Sequence, residues 1–402
     1  MPTLDWIGKK AVENHHNEIP FRLLKCNKEL SVGEPESGNL IVQGDNLHAL
    51  KALLPYYAGK VKCIYIDPPY NTGNEKWIYN DNVNSPEIKR WLNEVVGKEG
   101  EDLSRHDKWL CMMYPRLQLL RKLLSEDGAI FISIDENEAH NLRAILDDIF
   151  GPSNFIAEII WQKRKGGGND SFFLAVDHEY ILIYTKNLRR HSDKWRVPYD
   201  EKYLKRYKEE DEDGRFYWDT LSRAGLNNPI VYDVKCPDGT IIKNGTWQIS
   251  QKQFEIKKKI GAIKIEKNKD NGWTVFHKVR MPKGKVFRSI FNQETNKDAA
   301  DQMELIFSDK KYFSNPKPLG LVKSVISLLD DKNTLVLDSF AGSGTTAHAV
   351  LDLNKEDGGN RKFILVELEE NICKEVTAER VKRVINGYEV EKQKGGTEKV
   401  EG

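Results

Sequence analysis

The segment TLVLDSFAGSGTTAHAVLDLN, at residues 334–354, contains the clearest local pattern in this chain. Its first five residues are a short apolar run with β-branched side chains, which predicts a buried strand. Gly342 and Gly344 then allow a sharp turn, and the rest of the segment has the periodicity of a helix. A second strand is predicted at 362–369 and a second helix at 370–385. Strands that alternate with helices in this way are typical of a doubly wound α/β sheet.

The first half of the chain shows the same alternation. An apolar run at 39–45 precedes leucines at helical spacing, and Asp45 is placed to cap that helix. The next strand, VKCIYID at 61–67, stops at Pro68 and Pro69 because proline cannot donate to a ladder. Similar patterns predict helices at 106–125, 136–151 and 320–329, and strands at 128–135, 155–162 and 177–186.

Residues 187–312 interrupt the alternation with short segments, turns and many aromatic residues, which predict a separate, mostly β or mixed module. Residues 186–312 contain about 28 Lys and Arg against 19 Asp and Glu, although the whole chain has a net charge of +1. This basic middle favours a polyanionic partner, and a solvated lysine-rich surface is the alternative. The predicted divisions are an N-terminal extension (1–37), the first part of the sheet (38–186), the inserted module (187–312), the second part of the sheet (313–390) and a polar, disordered tail (391–402).

The composition argues against several classes of protein. Of 402 residues, 39% are hydrophobic and 31% are charged, which is the balance of a globular protein with a sizeable core. Mean hydropathy is −0.60. No apolar run approaches the roughly 18 residues of a membrane span, and the N-terminus lacks an apolar secretion signal. The five cysteines are dispersed without a CxxC pair, which argues against a disulfide scaffold or a zinc cluster and favours a reducing, cytoplasmic compartment.

The tetrapeptide Asp67-Pro68-Pro69-Tyr70 follows a predicted strand, at the end where open α/β sheets bind ligands. The prolines stiffen the turn and hold the Asp67 carboxylate and the Pro68 carbonyl as acceptors, with the Tyr70 ring beside them. Two acceptors and a ring suit a planar heterocycle with an exocyclic NH₂ group. Hydrogen bonds to both N–H groups favour a pyramidal nitrogen, whose lone pair can attack an electrophile held close to it. The alternative is an ordinary strand-ending turn.

A second constellation joins Asp338 to the glycine turn that follows it. The glycines allow close approach of the backbone to a ligand, and the next helix presents free N–H groups. The pattern is neither a GxGxxG dinucleotide motif nor a P-loop, so it suits a cofactor without a pyrophosphate. Glu367 ends the next predicted strand, where a carboxylate can accept both hydroxyls of a ribose. The alternative is a glycine turn that serves packing alone.

DPPY followed by FAGSG resembles the β class of S-adenosylmethionine-dependent DNA amino-methyltransferases, in which the catalytic motif precedes the cofactor motif. The string NLIVQGDNLHALKALLPYYAGKVKCIYIDPPYNTGNEKWIYND, at residues 39–81, is more specifically similar to the Mod subunits of type III restriction–modification systems. The resemblance covers nearly all of residues 38–390. It implies a Rossmann-like methyltransferase sheet with a target recognition domain inserted at 187–312. It also implies transfer of a methyl group to N6 of a flipped-out adenine.

The resemblance implies roles for individual residues. Asp67, Pro68 and Tyr70 would hold the flipped base, and Pro69 would shape the turn. The residues that would bind S-adenosylmethionine are Asp45, Asn46, Asn315, Lys317, Pro318, Asp338, Phe340, Ala341, Gly342, Gly344, Thr345 and Glu367. Within this set, Glu367 would bind the ribose hydroxyls and Lys317 the methionine carboxylate. The segment 177–187 also matches the family, and its His178 and Glu179 are interpreted as scaffold residues without chemistry.

DNA contacts are predicted from basic residues near the catalytic edge and in the inserted module. The basic loop at 163–168 is expected to touch phosphate, and an idle surface loop is the alternative. The candidate DNA-binding residues are Lys163, Arg164, Lys165, Arg215, Arg223, Arg280 and Arg288. The tryptophans of the module are interpreted mainly as core residues.

Several alternatives stay open. An aspartate at the first motif position leans towards adenine in the resembled family, but cytosine N4 offers a similar exocyclic amine. A non-catalytic DNA-recognition subunit is a further alternative, which the intact DPPY and FAGSG motifs disfavour. The resemblance implies double-stranded DNA as the substrate, a homodimer, and a restriction (Res) subunit as partner. Mod subunits usually run beyond the position of Gly402, so a shorter relative, an orphan enzyme and a truncated product stay open as interpretations, and so does any contact with a restriction partner that depends on a C-terminal region.

Overall fold

The computed structural model describes residues 4–72, 105–166, 172–191, 195–197, 199, 201–222, 225–226, 228–282, 284–308, 312–391 and 397–402. The chain divides into two compact units. The first comprises Met1–Val197 and Val286–Gly402, and the second comprises Pro198–Lys285. The second unit is shorter at both ends than the inserted module predicted at 187–312.

The strands of the described residues are, in chain order, β1 (Leu40–Gln43), β2 (Val61–Ile66), β3 (Leu124–Ile134), β4 (Phe155–Gln162), β5 (His178–Thr185), β6 (Glu209–Asp211), β7 (Gly214–Thr220), β8 (Ile230–Lys235), β9 (Ile241–Trp247), β10 (Ile263–Lys267), β11 (Trp273–Arg280), β12 (Ile290–Phe291), β13 (Leu335–Asp338), β14 (Lys362–Glu367), β15 (Tyr388–Glu391) and β16 (Thr397–Val400).

The α-helices of the same residues are α1 (Lys9–Val12), α2 (His15–Glu18), α3 (Asn46–Tyr57), α4 (Arg105–Leu123), α5 (Ala139–Phe150), α6 (Glu201–Leu204), α7 (Gln251–Lys259), α8 (Asn296–Phe307), α9 (Leu319–Ser327), α10 (Thr345–Asp357) and α11 (Glu379–Asn386). A π-helical segment, Ile372–Ala378, leads directly into α11. Within the described ranges, no helix is both long enough and apolar enough to cross a membrane.

The first unit is built on an eight-stranded sheet in the order β1-β14-β13-β2-β3-β5-β4-β12. The first five strands of this order run parallel, β5 runs antiparallel to both β3 and β4, and β12 is parallel to β4. The central parallel strands are almost wholly buried, as expected when helices cover both faces of a sheet. The predicted doubly wound α/β fold is therefore confirmed.

A separate apolar core lies on each face of this sheet. On one face, α3, α4 and α5 pack with fully buried residues such as Leu50, Trp109 and Leu146. On the other face, α9 and α10 contribute Val322 and Val350, which are equally buried. Burial of this kind contributes about 1.5–3 kcal/mol for each large aliphatic side chain, so both helical layers are held firmly against the strands.

The chain changes direction in the sheet between β13 and β2. These two strands are parallel neighbours, with Val336 opposite Cys63 and Leu337 opposite Ile64. From β13 the chain crosses to β14 on one side, and from β2 it proceeds to β3 on the other. Ligands of open α/β sheets bind beyond the carboxyl ends of the strands at such a switch point. The residues that follow β2 and those that end β13 therefore share this edge.

The second unit is a mixed module made mainly of short strands, as predicted for the middle of the chain. It contains an antiparallel sheet in the order β10-β11-β7-β6 and a separate β8-β9 hairpin. Ser250 is the N-cap of helix α7, and its side chain and that of Gln253 form a capping box. The small core includes Trp247, Phe254 and Val275. The interpretation of Trp247 as a core residue is confirmed.

The tail departs from the prediction of a disordered segment at 391–402. Strands β15 and β16 form an antiparallel hairpin in which Tyr388 pairs with Val400. Tyr388 packs against a small cluster that includes Met303 and Phe307, and Lys355 Nζ donates to the carbonyl of Glu401 at 2.8 Å. The prediction was wrong for the described part because the polar segment at 397–400 pairs with a strand whose aromatic residue, Tyr388, lies before the tail and has a distant apolar partner.

Candidate active site

The DPPY turn lies directly after β2 and is held by hydrogen bonds at both ends. The hydroxyl of Tyr70 shares its single proton between Asp67 Oδ1 at 2.8 Å and Glu179 Oε2 at 2.9 Å. Trp109 donates its indole N–H to the carbonyl of Pro69 at 2.7 Å. The second Asp67 oxygen, Oδ2, lies 2.8 Å from the Lys317 ammonium. The turn is therefore fixed by groups from three other parts of the chain.

Glu179 joins this cluster from the start of β5. Its Oε2 lies 3.4 Å from Lys317 Nζ, and its Oε1 lies 3.4 Å from Lys163 Nζ. Glu179 is buried. The interpretation of Glu179 as a scaffold residue without chemistry does not fit this position. His178, in contrast, has one side-chain hydrogen bond within the described part of the chain, to the Tyr180 hydroxyl at 2.9 Å.

The signal for Glu179 was present in the sequence but needed the strand direction. Because β5 runs antiparallel to β3, its first residues lie at the carboxyl edge of the parallel strands. An acidic residue at the start of such a strand enters the ligand edge, and the direction of β5 could not be deduced from local periodicity.

The electrostatics of the cluster keep its carboxylates and ammonium groups paired. Burial raises the pKa of Asp67, and the Lys317 charge partly offsets this. Burial also acts to raise the pKa of Glu179, but the charges of Lys317 and Lys163 bring it below its ordinary value. Burial acts to lower the pKa of Lys317, yet the two carboxylates raise it overall. Burial and the Asp67 charge raise the pKa of Tyr70 far above its usual range, so its hydroxyl remains a donor.

The glycine turn begins where β13 ends, at Asp338. The Asp338 carboxylate accepts from the Phe340 amide at 3.0 Å and from the Thr346 hydroxyl at 2.6 Å. Burial, with smaller effects of the Asp67 and Glu367 charges, raises the pKa of Asp338 to about 7. Gly342 and Gly344 have φ angles of 49° and 74°, in the left-handed region that favours glycine. Gly344 is the N-cap of α10.

Glu367 ends β14 next to this turn. Its Oε2 accepts from the Gly342 amide at 2.8 Å and its Oε1 from the Glu369 amide at 3.1 Å. Burial raises the pKa of Glu367, and the backbone amides oppose this effect. A carboxylate positioned by two amides at the end of the second strand can accept the hydroxyls of a ribose. The Glu367 acceptor beside the glycine turn therefore fits a nucleoside cofactor.

Asp45, Asn46 and Thr345 lie near this turn but also make structural bonds. Asp45 caps α3 by accepting from the Leu47 amide at 3.0 Å, and its other oxygen pairs with Arg116 at 3.0 Å. Asn46 donates to the carbonyl of Ser339 at 3.0 Å. The Thr345 hydroxyl accepts from Arg380 at 2.8 Å and donates to the carbonyl of Lys317 at 3.3 Å. These contacts connect α3 and the lysine segment to the glycine turn.

The other predicted cofactor residues vary in exposure. Phe340 and Ala341 are buried within the turn. Asn315 is exposed and has a φ of 56°, and Pro318 is the N-cap of α9. Lys317 points to Asp67 in the DPPY turn and to Glu179 beside it. Its predicted contact with the methionine carboxylate stays a prediction.

The predicted DNA-binding residues fall into two groups. Two are committed to other side chains: Lys163 pairs with Glu179, and Arg280 binds Asp211 at 3.0 Å and Asp213 at 2.8 Å. Arg215 is exposed, with Glu210 3.8 Å away. Arg164, Lys165 and Arg288 are exposed. Arg223, Gly167 and Gly168 lie outside the described residues. DNA contact by any of these residues stays a prediction.

Asn71, directly after DPPY, was not singled out in the sequence. It is fully buried with a φ of 59°, and its side-chain amide donates to the carbonyl of Arg105 at 3.1 Å and to Glu138. Glu138 also contacts His106 at 2.7 Å. This second set of bonds fixes the backbone that leaves the DPPY turn. The available signal in the sequence was an Asn directly after a proline turn, because Asn tolerates the left-handed conformation.

Comparison with known proteins supports the resemblance drawn from the motifs. A family model described as DNA methylase matches residues 61–379. The chain is 34% identical to the type III restriction-modification enzyme StyLTI Mod subunit of Salmonella typhimurium, over 95% of this chain and 62% of that protein. It is 34% identical to the EcoPI Mod subunit of Escherichia phage P1, over 92% of this chain and 64% of that protein. The chain thus spans less than two thirds of the length of these Mod subunits.

A shorter relative matches along most of both chains. The type II methyltransferase M.KpnI of Klebsiella pneumoniae is 31% identical, over 90% of this chain and 91% of that protein. The matched family region contains both the DPPY turn and the glycine turn, which meet at the switch point of the sheet. The chain belongs to the DNA methylase family.

Proposed function

We propose that this protein is a site-specific DNA methyltransferase that methylates the N6 amino group of adenine with S-adenosylmethionine. The observation that carries the proposal is the position of two motifs at one edge. Asp67 follows β2 and Asp338 ends β13, and these strands are parallel neighbours. An amine held at the first motif and a methyl donor held at the second would thus be close enough to react.

The DPPY turn provides the base-binding half. Asp67 and the carbonyl of Pro68 accept the two amine hydrogens, and the Tyr70 ring stacks on the base. An aromatic amine is a weak nucleophile because its lone pair is delocalised, and hydrogen bonds to both N–H groups favour the pyramidal form. A base in a duplex cannot reach Asp67, so it must be flipped out at a cost of a few kcal/mol.

The glycine turn provides the cofactor half. Glu367 would accept the ribose hydroxyls, and the backbone at Gly342 and Gly344 would lie against the methionine and ribose parts. S-adenosylmethionine, when bound, supplies a sulfonium methyl group that passes to the amine nitrogen while the S–C electron pair returns to sulfur. Asp67 is placed to accept the proton that the methylated amine must lose, since its pKa is raised by burial.

Adenine is preferred to cytosine because an aspartate leads the DPPY motif, which leans towards adenine in the resembled family. The test uses methyl-labelled S-adenosylmethionine, duplex DNA and enzymatic digestion to nucleosides. We expect the label in N6-methyl-2′-deoxyadenosine. Label in N4-methylcytosine would contradict the choice of base, and unlabelled DNA would contradict the function. Sequencing of methylated DNA from cells that express the protein would give the recognition sequence.

We also propose that the enzyme acts in a restriction–modification system, in the cytoplasm, as a homodimer. The restriction–modification part of this proposal is supported by relatives that are named as Mod subunits of type III restriction-modification enzymes. Light scattering of the purified protein tests the dimer, and co-purification with a co-expressed restriction subunit tests the partner. A monomer, or two proteins that elute separately, would contradict these two points.

A further inference from the structure

Both oxygens of the Asp67 carboxylate are already engaged in this structure. Oδ1 accepts from the Tyr70 hydroxyl at 2.8 Å, and Oδ2 lies 2.8 Å from Lys317 Nζ. The same ammonium lies 4.9 Å from the centroid of the Tyr70 ring. The groups proposed to receive the target base are thus bonded to each other. A base that enters must share or displace these bonds.

Glu179 is a second acceptor for the two groups that are bonded to Asp67, the Tyr70 hydroxyl and the Lys317 ammonium. Its Oε2 is 2.9 Å from the Tyr70 hydroxyl and 3.4 Å from Lys317 Nζ. Either donor could therefore exchange Asp67 for Glu179 by a displacement that is short compared with the length of its own side chain. Glu179 is buried, and Lys163 on its other oxygen, at 3.4 Å, favours its ionised form. Its charge is therefore available when Lys317 leaves Asp67.

The position of the lysine matters for methyl transfer. As the amine nitrogen bonds to the methyl carbon, it gains positive charge, which the Asp67 carboxylate is placed to stabilise. An ammonium held 2.8 Å from that carboxylate opposes the charge that develops, because like charges repel strongly in a site with little water. An ammonium held by Glu179 remains neutralised while Asp67 is left free for the amine.

We propose that Glu179 is a positioning residue that receives the Lys317 ammonium and the Tyr70 hydroxyl when the target amine takes their place on Asp67. This role rests on the proposed methyltransferase function. It gives Glu179 an ionic function at the base-binding site, beyond packing and beyond the hydrogen bond to Tyr70. It also gives Lys317 a function at the base in addition to any contact with the cofactor.

The test compares two substitutions of Glu179. Glu179→Gln keeps the shape and an acceptor for Tyr70 but cannot neutralise Lys317, whereas Glu179→Asp keeps the charge on a shorter side chain. We expect Glu179→Gln to lower kcat on the order of 10- to 100-fold and Glu179→Asp to lower it less. The dissociation constant for S-adenosylhomocysteine is expected to stay within about twofold in both, because no Glu179 bond among the described residues reaches the glycine turn.

Flipping of the target base into the site is measured independently with a duplex that has 2-aminopurine in place of the target adenine. The fluorescence gain on flipping is expected to be smaller for Glu179→Gln than for the wild type. Asp147→Asn is the matched control. Asp147 accepts a tyrosine hydroxyl, that of Tyr184 on the same strand as Glu179, at 2.6 Å, without any contact with Asp67 among the described bonds. It is expected to leave kcat and the fluorescence gain unchanged.

A double variant tests whether the role of Glu179 passes through the lysine. In a Lys317→Met background there is no ammonium to receive, so Glu179→Gln should cause little further loss of kcat. Losses that multiply would contradict the proposal, as would full activity of Glu179→Gln or a greater loss for Glu179→Asp. The order of the two single variants and the fluorescence gain remain informative should the double variant fold poorly. An inactive wild type would contradict the proposed function itself, whereas an active wild type with an equally active Glu179→Gln would contradict only the role of Glu179.

Discussion

Asp67 is a carboxylate whose burial and pairing act in opposite directions. Removal from water favours its neutral form, and the Lys317 ammonium at 2.8 Å favours the ionised form. The net effect is a raised pKa. A carboxylate in this state accepts an N–H strongly and is also a better proton acceptor than an exposed aspartate. Both properties suit the activation of a weakly nucleophilic amine.

Replacement of Asp67 by alanine is expected to abolish methyl transfer while leaving the cofactor site intact. We expect kcat to fall on the order of 100-fold or more, because the variant loses the charge that stabilises the amine in the transition state. Labelled methyl incorporation and S-adenosylhomocysteine binding are measured together. Asp127→Ala is the control, since Asp127 pairs with Lys62 near the opposite ends of the strands. Wild-type kcat in Asp67→Ala would remove Asp67 from the mechanism.

The raised pKa of Asp338 predicts how the stability of the protein depends on pH. Burial raises its pKa to about 7, from about 3.9 in an unfolded chain. The folded protein therefore favours the protonated, neutral form of Asp338 more than the unfolded chain does. The resulting stability is fully present below about pH 4 and is lost as the pH rises through about 7. Asp338→Asn resembles the neutral acid and lacks this dependence. Between these pH values, the free energy of unfolding of the wild type should fall relative to Asp338→Asn by up to about 1.4 kcal/mol per pH unit.

Urea unfolding of both proteins at several values from about pH 5 to 8 checks this expectation. Asp331→Asn serves as a control, since that carboxylate also accepts a backbone amide, at 2.8 Å, in a turn before the same strand. Parallel curves for the wild type and Asp338→Asn would show that Asp338 titrates normally in the folded protein.

At the scale of elements, the site depends on how strands end. β2 ends in a proline turn that fixes acceptors, and β13 ends in a glycine turn that brings the backbone close to α10. The Thr377 hydroxyl, from the π-helical segment before α11, donates to the carbonyl of Gly342 at 2.6 Å. A π-helical turn often marks a functional position in a helix. Here it places Thr377 against the glycine turn.

Gly344→Ala is expected to weaken cofactor binding in a way that Gly358→Ala does not. Both glycines have positive φ, 74° and 68°, so both substitutions cost about 1 kcal/mol of stability. An added Cβ at Gly344 would lie 3.3 Å from Thr377 Cγ2 and from its carbonyl oxygen, whereas Gly358 has nothing within 4 Å. Calorimetry with S-adenosylmethionine and urea unfolding separate the two effects. Equal affinity in both variants would exclude a contribution of this packing to the cofactor site.

At the scale of the whole molecule, the basic residues are distributed over both compact units. Arg164 and Lys165 are exposed on the loop after β4 in the first unit, and Arg215 is exposed in the second. Phosphate contacts give affinity that falls steeply with salt and is largely independent of sequence. Under the proposed function, the charge pattern would therefore affect how strongly DNA binds, and not which base is methylated.

The double variant Arg164→Ala, Lys165→Ala is expected to bind duplex DNA more weakly and with a shallower salt dependence. Removing one phosphate-binding charge should reduce the slope of log K against log salt by about 0.9. Fluorescence anisotropy at several salt concentrations measures this slope. Lys60→Ala, which removes an exposed lysine in the turn before β2, should leave the slope unchanged. An unaltered slope in the double variant would place this loop away from the phosphates.

Local patterns in the sequence determined most elements of the sheet and the two motifs that follow β2 and β13. Such signals are local because an apolar run, a proline pair and a glycine turn each act over a few neighbouring residues. The basic character of the middle of the chain likewise followed from its residue types alone.

Only the tertiary structure decided which side chains share the site. Glu179 and Lys163 join the cluster at Asp67 because β5 enters the sheet antiparallel, and Lys317 reaches it from a segment 250 residues away in the chain. Strand pairing in the folded chain likewise brings Arg280 to Asp211 and pairs the polar tail with the strand at Tyr388–Glu391. Partners across a sheet are set by strand order and direction, which depend on the packing of the whole core and leave no periodic trace in the sequence around each residue.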